Sequence, residues 1–102
     1  MRQDENAELL VYCPKCGLWA NEYNWTLETA SKYSVNGKQT HTLIYIFIDI
    51  AQGNYQKWEN YKVLCPRCHE SMQMRKLLPL PQEDLIAAYI AKVGQAYVQS
   101  LY

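Results

Sequence analysis

The sequence predicts a small α+β domain held together by a metal ion, and three features carry that prediction. All four cysteines fall into two copies of one tetrapeptide, Cys13-Pro14-Lys15-Cys16 and Cys65-Pro66-Arg67-Cys68. Asn36-Gly37 is a two-residue hairpin signal set between segments rich in β-branched and aromatic residues. Leu85, Tyr89, Val93, Tyr97 and Leu101 recur every four residues, the spacing of one face of an amphipathic helix.

Each cysteine tetrapeptide reads as a metal turn. Two intervening residues let both sulfurs point into one tight turn while backbone N–H groups near the second cysteine face the thiolates, and Gly17, directly after Cys16, permits a positive φ there. Two such turns facing each other complete a tetrahedral four-sulfur site. Cys13, Cys16, Cys65 and Cys68 are therefore the expected metal ligands, with structural zinc as the expected ion. A rubredoxin-type iron centre is the alternative that four thiolates also accept. Disulfides are the competing reading of the cysteines, disfavoured in a reducing compartment.

Composition bounds the rest. The 102 residues allow one domain, and 49% hydrophobic with 20% charged residues are globular values. The longest apolar run, residues 43–48, is far short of the roughly 20 residues a bilayer requires. Ten Lys+Arg balance ten Asp+Glu, so the basic excess of a strong nucleic-acid binder is absent and any such binding needs a local patch. No apolar segment follows the polar opening Met1-Arg2-Gln3-Asp4, so a cytoplasmic protein is expected.

Along the chain, residues 1–8 are expected to form a flexible N-terminus, residues 9–78 the metal-binding domain and residues 79–102 a C-terminal helix. Residues 18–27, with Trp19, Tyr23 and Trp25, read as short strands. Residues 32–35 and 38–50 read as the two arms of a β-hairpin around Asn36-Gly37, the second arm being a buried apolar strand. Gln52-Gly53-Asn54 breaks that arm, residues 58–64 lead to the second cysteine turn, and residues 69–77 read as helical. Pro79 and Pro81 then separate the C-terminal helix opened by Glu83 and Asp84.

The segment Glu59-Asn60-Tyr61-Lys62-Val63-Leu64-Cys65-Pro66-Arg67-Cys68-His69 resembles the Glu-Asn-Leu-x-x-Leu-Cys-x-x-Cys-His signature of zinc-containing HNH endonucleases, and Cys13-Pro14-Lys15-Cys16-Gly17 is similar to their first zinc turn. The resemblance covers about residues 10 to 75. It implies a ββα-metal domain braced by structural zinc, to which the C-terminal helix is an addition. It also implies that Asn60 orients the attacking water, that His69 holds a catalytic divalent ion, and that a strand histidine acts as general base. The base position falls on Phe47 or Ile48, which accept no proton. His41, the only other histidine, lies at least six residues upstream, roughly 20 Å along an extended strand. What the resemblance implies is thus a degenerate HNH-like domain, in which a second metal at His69 is not expected.

The functional expectation is a non-catalytic zinc-binding module: a subunit, adaptor or inhibitor of a protein or protein–nucleic-acid complex, of the kind that phages and mobile elements carry with HNH domains. Two rivals are an active nuclease using His69, Asn60 and Asp49, and a sequence-independent nucleic-acid-binding zinc protein. The candidate nucleic-acid patch is Lys57, Lys62, Arg67, Arg75 and Lys76. The helix stripe Leu85, Tyr89, Val93, Tyr97 and Leu101 is the candidate protein interface or dimerisation face.

Overall fold

Two short antiparallel hairpins each carry one cysteine turn, and the helices between and after them build the core. The computed structural model describes residues 9–34, 39–77 and 81–102. Strands β1 (Leu10–Tyr12) and β2 (Trp19–Asn21) pair with Leu10 opposite Asn21 and Tyr12 opposite Trp19. Helix α1 (Glu22–Tyr33) follows at once. Then come α2 (Leu43–Ala51), the short α3 (Tyr55–Trp58), strand β3 (Lys62–Leu64) and strand β4 (Ser71–Gln73) paired with it, a 3-10 turn Met74–Leu77, and α4 (Glu83–Val98). The architecture is α+β, with two separate two-stranded sheets.

Helix α1 replaces most of the strand expected over residues 18–27. The Asn21 side chain ends β2 and caps the helix by accepting a hydrogen bond from the Asn24 N–H at 2.8 Å. The helix buries Glu22, Trp25, Thr26 and Thr29, residues spaced at three and four and therefore on one face. Three of these four are polar, so the stripe is invisible to a search for apolar periodicity.

The arms of the expected β-hairpin are helical instead: Lys32 and Tyr33 close α1, and residues 43–51 are α2. Asn36-Gly37 itself lies outside the described residues, as do residues 1–8 and the junction at residues 78–80. A short apolar run reads equally as a buried strand or a buried helix. Here capping decides, because Thr42 Oγ1 accepts from the Tyr45 N–H at 3.2 Å and starts the helix. Leu43, Ile44, Ile46, Phe47 and Ile50 are then all buried in the centre of the core.

Hydroxyl-bearing side chains of α1 hold its neighbours. Thr26 Oγ1 accepts from the Leu43 N–H at 3.1 Å, and Thr29 Oγ1 accepts from the Leu64 N–H at 2.9 Å. These bonds satisfy the start of α2 and the end of β3 where water has no access. Trp25, fully buried, donates from its indole to Val11 O at 3.3 Å and fastens the first hairpin to the same helix.

The C-terminal helix spans Glu83–Val98, short of the expected residues 79–102, and Gly94 interrupts it with φ 84° and ψ 155°. A left-handed residue of this kind is natural for glycine. The four-residue stripe is not a single face: Tyr89 is buried, Val93 and Tyr97 pack against the core, and Leu85 and Leu101 are exposed. The middle of the expected interface is therefore occupied by this chain's own core. Beyond the helix the last residues return to residues 40–41, where Thr40 and Tyr102 exchange backbone hydrogen bonds of 2.8 and 3.0 Å. Among the described residues no helix is long and apolar enough to cross a membrane.

Candidate metal centre

The two cysteine turns are built to one plan. In the first, the Cys13 N–H donates to Leu18 O at 2.9 Å and the Gly17 N–H to Cys13 O at 2.8 Å. In the second, the Cys65 N–H donates to Glu70 O at 3.1 Å and the His69 N–H to Cys65 O at 2.9 Å. The residue after each second cysteine is left-handed, Gly17 at φ 74° and His69 at φ 62°. Backbone N–H groups point at sulfur in both turns: Cys16 N–H at Cys13 Sγ (3.4 Å), and Arg67 and Cys68 N–H at Cys65 Sγ (3.3 and 3.5 Å).

The turns meet face to face. Cys13 Sγ lies 3.8 Å from Cys68 Sγ, Cys16 Sγ lies 3.9 Å from Cys65 Sγ, and all four sulfurs fall within 4.8 Å of one another. A regular tetrahedron of sulfurs about 2.3 Å from a central zinc has edges of about 3.8 Å, so the four residues fit that ion. Cys13 and Cys65 are buried, and Cys16 and Cys68 are partly covered. Burial, together with the three neighbouring thiols, pushes the Cys68 thiol up to about 12. A divalent cation reverses that balance, since it binds the thiolate form. Arg67 ties one turn to the other by donating from Nε to Trp19 O at 2.6 Å.

The other candidate residues stand outside the cysteine cluster. His69 does not begin a helix: its left-handed backbone turns the chain into β4, and its Nδ1 lies 2.7 Å from Glu28 Oε2 of α1. Asp49 sits on α2, accepting from the Trp58 indole and the Asn54 amide at 2.7 Å each, with Lys57 Nζ at 3.5 Å. Those donors, Trp58 foremost, hold its carboxyl below the usual carboxylate range. Asn60 accepts from Gln73 Nε2 at 3.2 Å across the second hairpin. His41 stacks on Tyr45 at 4.5 Å and meets the edge of Trp58, where burial lowers its basicity and Lys57 lowers it further. Among the described residues the four cysteines are the only group of three or more potential metal ligands.

The basic patch is redistributed too. Lys57 is engaged by Asp49 and lies 5.2 Å over the Trp58 ring, Arg67 is bonded to Trp19 O, and Arg75 donates to Gln73 Oε1 at 3.0 Å. Lys62 and Lys76 line an open groove of about 320 Å³ with Ser71, Met72, Gln73 and Lys15. Lys15 is absent from the patch expected from sequence. The signal for it was present, since Lys15 holds the same place in the first turn as Arg67 in the second.

One buried site was missed altogether. Glu22, fully buried, accepts from Thr26 Oγ1 and the Ile44 N–H at 2.8 Å each through Oε2, and from the Tyr89 and Tyr97 hydroxyls at 2.6 Å each through Oε1. A buried carboxylate persists only when its oxygens are satisfied in this way. Burial first, and the Glu22 charge second, raise both tyrosines well above their ordinary range.

Comparison with protein-family models, curated proteins and solved structures finds no match to this chain.

Proposed function

We propose that the chain is a non-catalytic binding module whose fold is stabilised by one structural zinc ion, serving as a subunit, adaptor or inhibitor of a larger protein or protein–nucleic-acid assembly. The observation that carries this reading is the pair of matching turns whose four sulfurs gather within 4.8 Å of one another, with Cys13–Cys68 and Cys16–Cys65 at 3.8 and 3.9 Å, close to the edge of a zinc–thiolate tetrahedron. Thiolates of this number close the coordination sphere and leave no open position for substrate, the arrangement of structural zinc.

Kinship with zinc-containing HNH endonucleases is suggested by residues 59–69 and the paired turns. Helix α2 stands where that family carries its base-bearing strand, and β4 stands where a helix would follow Cys68. His69, Asn60 and Asp49 are each bonded to a different neighbour, Glu28, Gln73 and Trp58 respectively. General-base hydrolysis needs a proton acceptor, and Phe47 and Ile48, at the base position, offer none. The reading therefore rests on the cysteine cluster rather than on kinship.

The test is native mass spectrometry of the purified protein, followed by circular dichroism under a strong chelator. One zinc per chain, and loss of structure with its removal, is the expected result. A folded chain that carries no metal, or that melts unchanged after chelation, would overturn it. A plasmid-nicking assay with Mg²⁺ or Mn²⁺ is expected to show no cleavage, and nicking abolished by His69→Ala would restore the nuclease.

A further inference from the structure

We propose that the groove beside the first cysteine turn, together with the exposed Tyr12–Trp19 ring pair that flanks the turn, binds single-stranded nucleic acid. The inference rests on the reading of the chain as a metal-stabilised, non-catalytic binding module and names its ligand.

Three separate elements deliver a lysine to one groove: Lys15 from the first turn, Lys62 from β3 and Lys76 from the 3-10 turn after β4. Ser71, bonded to Tyr33, and Gln73, bonded to Asn60 and Arg75, complete the wall, and none of the lining residues is acidic. Among the described residues none of these three ammonium groups is in an ion pair, whereas Lys57 is. In a chain of zero net charge this is a local concentration of unneutralised cations. Phosphate is the anion such point charges bind, and a backbone of phosphates repays several of them at once.

The second observation is the outer face of the first hairpin. Val11 and Ala20 point into the core, so Tyr12 and Trp19 point out, with ring centroids 5.2 Å apart and 45% and 54% of each residue exposed. Residues 12 and 19 bracket the turn that carries Lys15. The Arg67 bond to Trp19 O fixes the backbone under the indole and sets a further cation beside it. Exposed aromatic rings on the hairpin whose turn supplies one of the groove's lysines offer a stacking platform for unpaired bases. A duplex keeps its base faces stacked on one another and offers such rings nothing to stack on, so a single strand is the form this surface fits.

The test uses the intact, metal-loaded protein and fluorescence anisotropy of labelled oligothymidylate, oligouridylate and a duplex of equal length. Both single strands are expected to bind more tightly than the duplex, and their relative affinity separates DNA from RNA as the source of the backbone. Three phosphate contacts imply an affinity falling roughly 20-fold between about 50 and 200 mM salt. Reversing the charges with Lys15→Glu, Lys62→Glu and Lys76→Glu together should abolish binding, and Trp19→Ala should weaken it about tenfold while Trp19→Phe restores most of it. Trp25 and Trp58 are 0% and 5% exposed, so quenching of tryptophan fluorescence by the oligonucleotide reports Trp19. All the substituted residues are exposed, and zinc content and circular dichroism are read first on each variant. A folded, zinc-loaded protein that binds neither single strand overturns the inference and leaves the module reading standing. Duplex binding as tight as single-strand binding, or single-strand binding unmoved by the lysine and Trp19 variants, also overturns it. A chain that folds without metal fails the module reading at the first step, before any oligonucleotide is added.

Discussion

Gly17 and His69 occupy the same position in two different turns: each follows the second cysteine of its pair, each is left-handed, and each donates its N–H to the carbonyl of the first cysteine. One is a glycine and the other a histidine, at which no second metal is expected. The turn needs a left-handed residue at this place, and His69 fills it with its Nδ1 held by Glu28.

Gly17→Ala should therefore cost about 1–2 kcal/mol, the penalty of a side chain in that region, although the nearest atom to its new Cβ, Tyr12 Oη, stands at an unstrained 3.6 Å. A drop in Tm of several degrees in a thermal melt is the readout. His69→Gly should show no such loss, since it relieves the same penalty while giving up one exposed pair worth at most about 1 kcal/mol. If His69→Gly destabilised the protein as much as loss of a cysteine does, His69 would be a ligand after all.

Cys65→Ser should unfold the domain or shift its melting to that of chelated wild type. The two hairpins are joined through the sulfur cluster and the Arg67–Trp19 bond, and metal binding at such a site is coupled to folding. Thermal melts of the variant and of wild type with and without chelator, compared side by side, decide the point.

Glu22→Ala should destabilise by about 3–5 kcal/mol, because it strands the Ile44 N–H and two tyrosine hydroxyls in the core. Tyr97→Phe removes one of the four bonds and should cost about 2 kcal/mol, the worth of a hydrogen bond to a charged group. Denaturant titration of the two variants and the double variant measures the coupling. Additive losses would show that the tyrosine does not act through Glu22.

Alkali should loosen the C-terminal helix. Tyr89 and Tyr97 are raised above the ordinary tyrosine value of 10.0 in the fold, so the unfolded chain ionises first. The stability they contribute is fully present below pH 10.0 and declines as pH rises beyond it. A double variant, Tyr89→Phe with Tyr97→Phe, should start less stable at neutral pH and lose less between neutrality and strong alkali. Denaturation midpoints across that range test the difference in slope.

The sequence by itself determined the four-cysteine cluster and the C-terminal helix, together with the mixed fold class. Cysteine spacing is a local property, and two local turns of the right chemistry need only meet. Helix α4 was legible because its apolar residues repeat at the helical period. Tertiary structure decided the middle of the chain. The buried face of α1 is Glu22, Trp25, Thr26 and Thr29, whose polar members are worth burying only because Leu43, Ile44, Leu64, Tyr89 and Tyr97 arrive with groups to bond them. Residues 43–50 are apolar apart from Tyr45 and Asp49, too short and too apolar a run for its period to tell strand from helix, and the Thr42 cap with burial of Leu43, Ile44, Ile46, Phe47 and Ile50 on one side chose the helix. The groove was hidden for the same reason: Lys15, Lys62 and Lys76 are scattered along the chain, and only the docking of one cysteine turn against the other hairpin makes them neighbours.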